Sequence, residues 1–251
     1  MWLALVLCAL CLAEKSPEAR YRYLLLAGVS AGCTVLCRNI NLIGVFFMGM
    51  AILWRYRFQI FYYALPAASL IAALLVYNYS LFGHLSGGYE ELLKLQWALD
   101  RIETGRWATP LHIGLMGQLI SPSRGILIFS PFLAFSFWGM VKIWRSPEPL
   151  APLFRWLMPA PIVMLLVFSI YSVWWGGNSH YGPRYQIETY PFLMIYLGLA
   201  WPAMQQSKGL KIIFLCLLAY SILVQAIGAF CYPSQWAVEP APLAVDKDRL
   251  W

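Results

Sequence analysis

Residues 58–82, FQIFYYALPAASLIAALLVYNYSLF, run for 25 positions without a charged side chain. Coiled as an α-helix, such a stretch reaches about 37 Å, more than the roughly 30 Å hydrocarbon core of a bilayer. Its apolar residues do not alternate with polar ones, as a membrane-barrel strand would require, so helix is the reading. Working outward, runs of the same kind occur at 23–37 and 40–54, split by Arg38 and Asn39, and again at 125–141, 153–175, 187–203 and 210–230. The two shortest, 23–37 and 40–54, are also compatible with a re-entrant hairpin.

Composition agrees with this reading. The chain is 61% hydrophobic and 12% charged, with a mean hydropathy of +0.64. Soluble domains are roughly 45–50% apolar and about 25% charged. Lipid must therefore solvate much of the surface, and backbone groups in lipid need internal partners. The expected fold is all-α: a polytopic transmembrane helical bundle with about seven spans plus short interfacial helices. The transmembrane domain covers 1–231, and 232–251, rich in proline and charge, forms a polar external tail.

The segment 1–13 is apolar but too short to span. It lacks the basic start and small-residue cleavage site of a signal peptide. It reads as the end of a helix whose beginning is missing. The external loop 83–124 contains YEELLKLQWAL (89–99), where apolar residues fall at helical spacing opposite Glu90, Glu91 and Lys94. That pattern suits an amphipathic helix on the membrane surface or a helix in a soluble loop. The apolar segment 111–120 is too short to cross and dips into, or lies along, the interface.

Six cysteines raise the question of a disulfide or metal framework. Five (Cys8, Cys11, Cys33, Cys37 and Cys216) lie in apolar runs and read as small buried hydrophobes. The CxxC of Cys8 and Cys11 has no second pair to support a metal site. The net charge of +7 comes from basic residues placed singly or in pairs at the ends of apolar runs, which argues against nucleic acid. Counting connections alternately, with 14–22 cytoplasmic, puts ten basic and three acidic residues on that side and eight of each on the other. By the positive-inside rule, 77–89, 121–125 and 174–185 then lie outside, with His84, His112 and His180.

The loop WWGGNSHYGPRY (174–185) is the richest of these. Trp174 and Trp175 close a span at headgroup level, and Gly176, Gly177 and Gly182 allow sharp turns. Asn178, Ser179, His180 and Tyr181 supply polar groups, and Arg184 carries a planar fork that matches phosphate. The alternative is an interfacial turn with Arg184 reaching to lipid phosphates. SPSRG (121–125) repeats the theme with Ser121, Ser123 and Arg124, followed by Gly125 at a helix start whose N–H groups favour an anion. The tract 77–89, with Asn78, Gly83, Gly87, Gly88 and Tyr89, either lines the same cavity or simply leaves the bilayer. Arg38, within the apolar region, is a functional candidate or an interfacial residue. His180 has no partner spacing that marks a metal ligand.

LAGVSAGCTVLCRNINLIGV (26–45), YNYSLFGHLSGGY (77–89), SPSRGILIFSPFL (121–133) and YSVWWGGNSHYGPRYQIETYPFL (171–193) together resemble motifs of the GT-C membrane glycosyltransferases. Within that superfamily, the resemblance is to bacterial protein O-mannosyltransferase-like proteins, over roughly residues 20–200. It implies transfer of a sugar from a polyprenyl-phosphate donor to an extracytoplasmic acceptor at the cell membrane. Arg124 and Arg184 would then neutralise the lipid phosphate, with Ser123, Asn178, His180 and Tyr181 beside it and Tyr89 and Trp175 lining the cavity. No cofactor is identified, although a divalent metal is compatible with the resemblance. The family's essential acidic residue in a first external loop has no counterpart here. Asp100 and Glu103 are poor substitutes, so no catalytic residue is assigned and the chain reads as an incomplete copy. The alternative is a non-catalytic membrane protein that binds or moves a lipid-linked glycan. A solute transporter would show midplane polar residues that are sparse here.

Overall fold

The computed structural model describes residues 1–88, 107–148, 150–172, 174–176 and 181–231. Every regular element among them is helical: α1 (Trp2–Lys15), α2 (Arg20–Cys37), α3 (Asn41–Tyr56), α4 (Ile60–Phe82), α5 (Leu111–Ile120), α6 (Ile126–Phe129), α7 (Ala134–Arg145), α8 (Ala151–Leu157), α9 (Pro159–Ile170), α10 (Tyr190–Gln205) and α11 (Lys208–Phe230), with three short 3-10 turns. Among the described residues three stretches are long and apolar enough to cross a membrane: Asn41–Phe82, which holds α3 and α4, then Ala151–Ile170 and Lys208–Phe230. The chain divides into two compact units, Met1–Gly105 with Glu148–Ala160 and Arg106–Pro147 with Pro161–Trp251.

In the first unit α2 packs on both α1 and α4. A Cβ at Gly28 would sit 2.3 Å from the Tyr63 carbonyl oxygen, and one at Gly32 would sit 2.7 Å from Leu70 Cβ. These two glycines, one helical turn apart, let the α4 backbone settle directly on α2. The Tyr63 hydroxyl donates to the Val45 carbonyl at 2.9 Å and ties α4 to α3. Between α3 and α4, Arg57 turns the chain at a φ of 48°, a region uncommon for a residue with a side chain. At the C-terminal ends of α1 and α3, Glu14 accepts hydrogen bonds from Arg55 and Tyr56. The Arg20 guanidinium lies 4.8 Å from the Tyr56 ring centroid. The connectors 14–22 and 55–57 therefore meet at one end of this unit.

Much of the α4 surface is apolar and uncovered; Leu65 is 73% exposed and Val76 68%. On α11, in the second unit, Leu223 is 64% exposed. A continuous apolar face of this kind suits lipid rather than water.

In the second unit α7 and α10 form the closest pair, because a Cβ at Gly139 would fall 1.8 Å from the Tyr196 carbonyl oxygen. Leu197, Ala200 and Met204 of α10 and Phe214 of α11 build a core that Phe132, Phe135 and Trp201 close over. The short apolar segment 111–120 is helical as α5, with Gly114 against the Ser169 carbonyl and Gly117 against the Trp174 ring.

The structure departs from the sequence reading in two places, the run 125–141 and the cysteines. The run 125–141 is not one straight helix. Ser130, at φ −144° and ψ 60°, breaks it before Pro131, where the proline's bias against the α region at the preceding residue joins a Ser130–Tyr190 hydroxyl contact of 2.8 Å. The run 187–203 reappears as α10 within a few residues. The cysteines are free, and Cys8, Cys37 and Cys216 point outward instead of into the core, since the helices bury their small and branched residues there. Trp174 and Trp175 are buried within the protein, at 2% and 4% exposure, and Trp174 fills the space above Gly117. The expected amphipathic helix at 89–99 and the tail 232–251 lie outside the described residues.

Candidate functional site

The second unit holds both arginine turns. After α5, Ser121 begins a tight turn in which its carbonyl accepts from Arg124 N at 3.3 Å and Gly125 N at 2.7 Å. A Cβ at Gly125 would come within 2.7 Å of the Ile120 and Ser121 backbone, so the turn needs glycine there. Ser123 is half-buried with its hydroxyl 3.2 Å from that of Ser121, and Arg124 is 8% exposed. The helix that follows, α6, is a single turn. The expected helix-start contribution to anion binding is therefore withdrawn, because a macrodipole needs several aligned peptide units.

The second turn uses left-handed glycines at Gly176 (φ 86°) and Gly182 (φ 73°), positions where a side chain would be strained. Arg184 is exposed, and its Nη1 donates to the Gly176 carbonyl at 3.3 Å, so the turn supports its own guanidinium. Tyr181 is anchored in the protein: its hydroxyl donates to the Val224 carbonyl at 2.9 Å, and its ring lies over Gly228 of α11. Trp175 packs edge-on against Trp174 with centroids 6.0 Å apart, and is not among the residues lining the cleft described below. Asn178, His180 and Tyr89, together with Asp100 and Glu103, lie outside the described residues.

Two contacts hold the turns to each other. Gln186, two residues beyond Arg184, donates through Nε2 to the Gln118 side-chain oxygen near the end of α5. Both glutamines are 2% exposed. Thr189 donates to the Gln186 carbonyl at 2.7 Å and fixes the far side of that glutamine. Phe129, at the end of α6, meets the Tyr181 ring edge-on at 5.1 Å and packs against Gly182. Near the turns lies a small, partly open apolar cleft of about 40 Å³. Ile126 and Leu127 from just after Arg124 line it, as do Gln186 and Thr189 from just after Arg184, together with Leu165 and Leu193.

The sequence reading missed Gln118, Gln186 and Glu188, the last 8% exposed. Their signal was present: Gln118 is the one amide in LHIGLMGQLI, and isolated polar residues in apolar runs need a partner. Among the described residues no group of three or more His, Cys, Asp or Glu converges on a metal-sized site. Comparison of the chain with protein-family models, curated proteins and solved structures returns no match.

Proposed function

We propose that this chain is a multi-pass cell-membrane protein of about seven spans whose two arginine turns bind the phosphate of a polyprenyl-phosphate-linked sugar on the extracytoplasmic side, as in GT-C glycosyltransferases. The observation that carries the reading is the shared cleft: Ile126 and Leu127, two and three residues beyond Arg124, and Gln186 and Thr189, two and five beyond Arg184, line one small apolar cleft. A phosphate at its mouth would meet two fixed positive charges, and a hydrocarbon chain would find an apolar wall. When an acceptor attacks the sugar's anomeric carbon, the lipid phosphate leaves and gains negative charge. Arginines already in place stabilise that charge without reorganising.

Binding of a labelled polyprenyl-phosphate hexose to the purified chain tests the proposal. Arg184→Ala should weaken binding by about tenfold or more, the scale of a lost charged hydrogen-bond pair, and Arg184→Lys should weaken it less. Unchanged affinity in the alanine variant removes the phosphate site.

One observation favours a second reading, in which the chain binds a lipid-linked glycan without transferring the sugar. Among the described residues of the second unit Glu188 is the only carboxylate, and at 8% exposure it is not open to solvent. Sugar release from the labelled donor in the presence of membrane acceptors separates the readings: turnover supports the transferase, and tight binding without turnover the carrier.

A further inference from the structure

We infer that the Gln118–Gln186 bridge is a positioning device that sets Arg184 against the Arg124 turn, so that phosphate affinity depends on two residues that do not touch the phosphate. The inference rests on the phosphate reading above. Gln118 closes the helix that leads into SPSRG, and Gln186 sits in the same 3-10 turn as Arg184. A shift of Gln186 therefore carries the Arg184 backbone with it. The bridge is buried on both sides, so water cannot replace it; without Gln186 the Gln118 side-chain oxygen loses its donor, and without Gln118 the Gln186 Nε2 loses its acceptor. Phe129 against Tyr181 is a second link between the turns, but a ring contact without a directional bond tolerates sliding that an amide pair does not.

The chemistry suggests how to separate positioning from stability. Removing one glutamine strands its partner, whereas replacing both with apolar groups of similar shape is close to neutral for folding. In the double variant Gln118→Met/Gln186→Met, Thr189 keeps the Gln186 main-chain carbonyl as its acceptor, so the local turn stays bonded. Met also suits the apolar wall of the cleft.

The experiment measures binding of labelled farnesyl phosphate to the full chain in detergent, with the melting temperature of each variant recorded alongside. The double methionine variant should melt within a few degrees of the parent yet bind about tenfold more weakly. In an Arg184→Ala background the same double substitution should cost almost nothing further, because the bridge acts through that arginine. If the double variant does not fold, Gln118→Asn, which stays polar but is one methylene shorter, should give the same loss and the same non-additivity. Parent-like binding by the bridge variant overturns the inference, as does a full additional loss in the Arg184→Ala background. If the parent does not bind farnesyl phosphate, or Arg184→Ala binds it as well as the parent, the phosphate reading itself fails, and that outcome is distinct.

Discussion

Glu14 shows how a single carboxylate can hold two helix ends together. Burial alone would raise its pKa, but hydrogen bonds from Arg55 and Tyr56, with the charges of Arg55 and Arg20, outweigh burial and hold it below the ordinary 4.5. A carboxyl whose folded pKa is depressed contributes stability above its unfolded pKa and loses it as pH falls through the folded one. Because the Arg55 side chain is 37% exposed, solvent screening limits the effect to about 0.2–1 kcal/mol. Thermal melts from about pH 5 to about pH 3 should therefore show the parent losing more stability than Glu14→Gln, with the two curves converging at the acid end. Parallel curves would mean that the contact contributes nothing. At this scale the arginines of the candidate site were legible, because a guanidinium beside glycine and serine in an apolar chain stands out. The bridge that pins them was not read, since Gln118 and Gln186 lie 68 residues apart and only the fold shows that they meet.

For whole elements, legibility followed length and apolar content. The runs 23–37, 40–54, 58–82 and 210–230 reappear as α2, α3, α4 and α11 within a few residues, because long apolar runs leave the backbone no partner but itself. The break at Ser130 was missed because an averaged hydropathy does not register one residue's backbone. Proline alone does not explain it, since Pro66 and Pro202 sit inside α4 and α10 without breaking either. What distinguishes Pro131 is its neighbour: the Ser130 hydroxyl lies 2.8 Å from that of Tyr190, a side-chain bond that favours the broken conformation. The tight pairing of α7 and α10 gives an element-scale prediction. Gly139→Val should cost at least about 2 kcal/mol in thermal or denaturant unfolding, because its side chain would have to displace the Tyr196 backbone. A variant as stable as the parent would show that the two helices can part there without penalty.

Taken as a whole, the chain combines long helices whose outer faces stay apolar with a second unit in which residues just beyond two basic turns line one small cleft. Lipid solvation accounts for the first feature, and the proposed headgroup site would place the second in the same environment. The account depends on SPSRG and WWGGNSHYGPRY opening to the same side of the membrane, opposite the basic connector between α3 and α4. Single cysteines at Pro122, His180 and Gln59, placed one at a time in a cysteine-free chain and probed with a membrane-impermeant thiol reagent in right-side-out and inverted vesicles, test this directly. Positions 122 and 180 should react from the outer face and position 59 only from the inner one. Reaction of 122 and 180 from opposite faces would contradict the shared phosphate site.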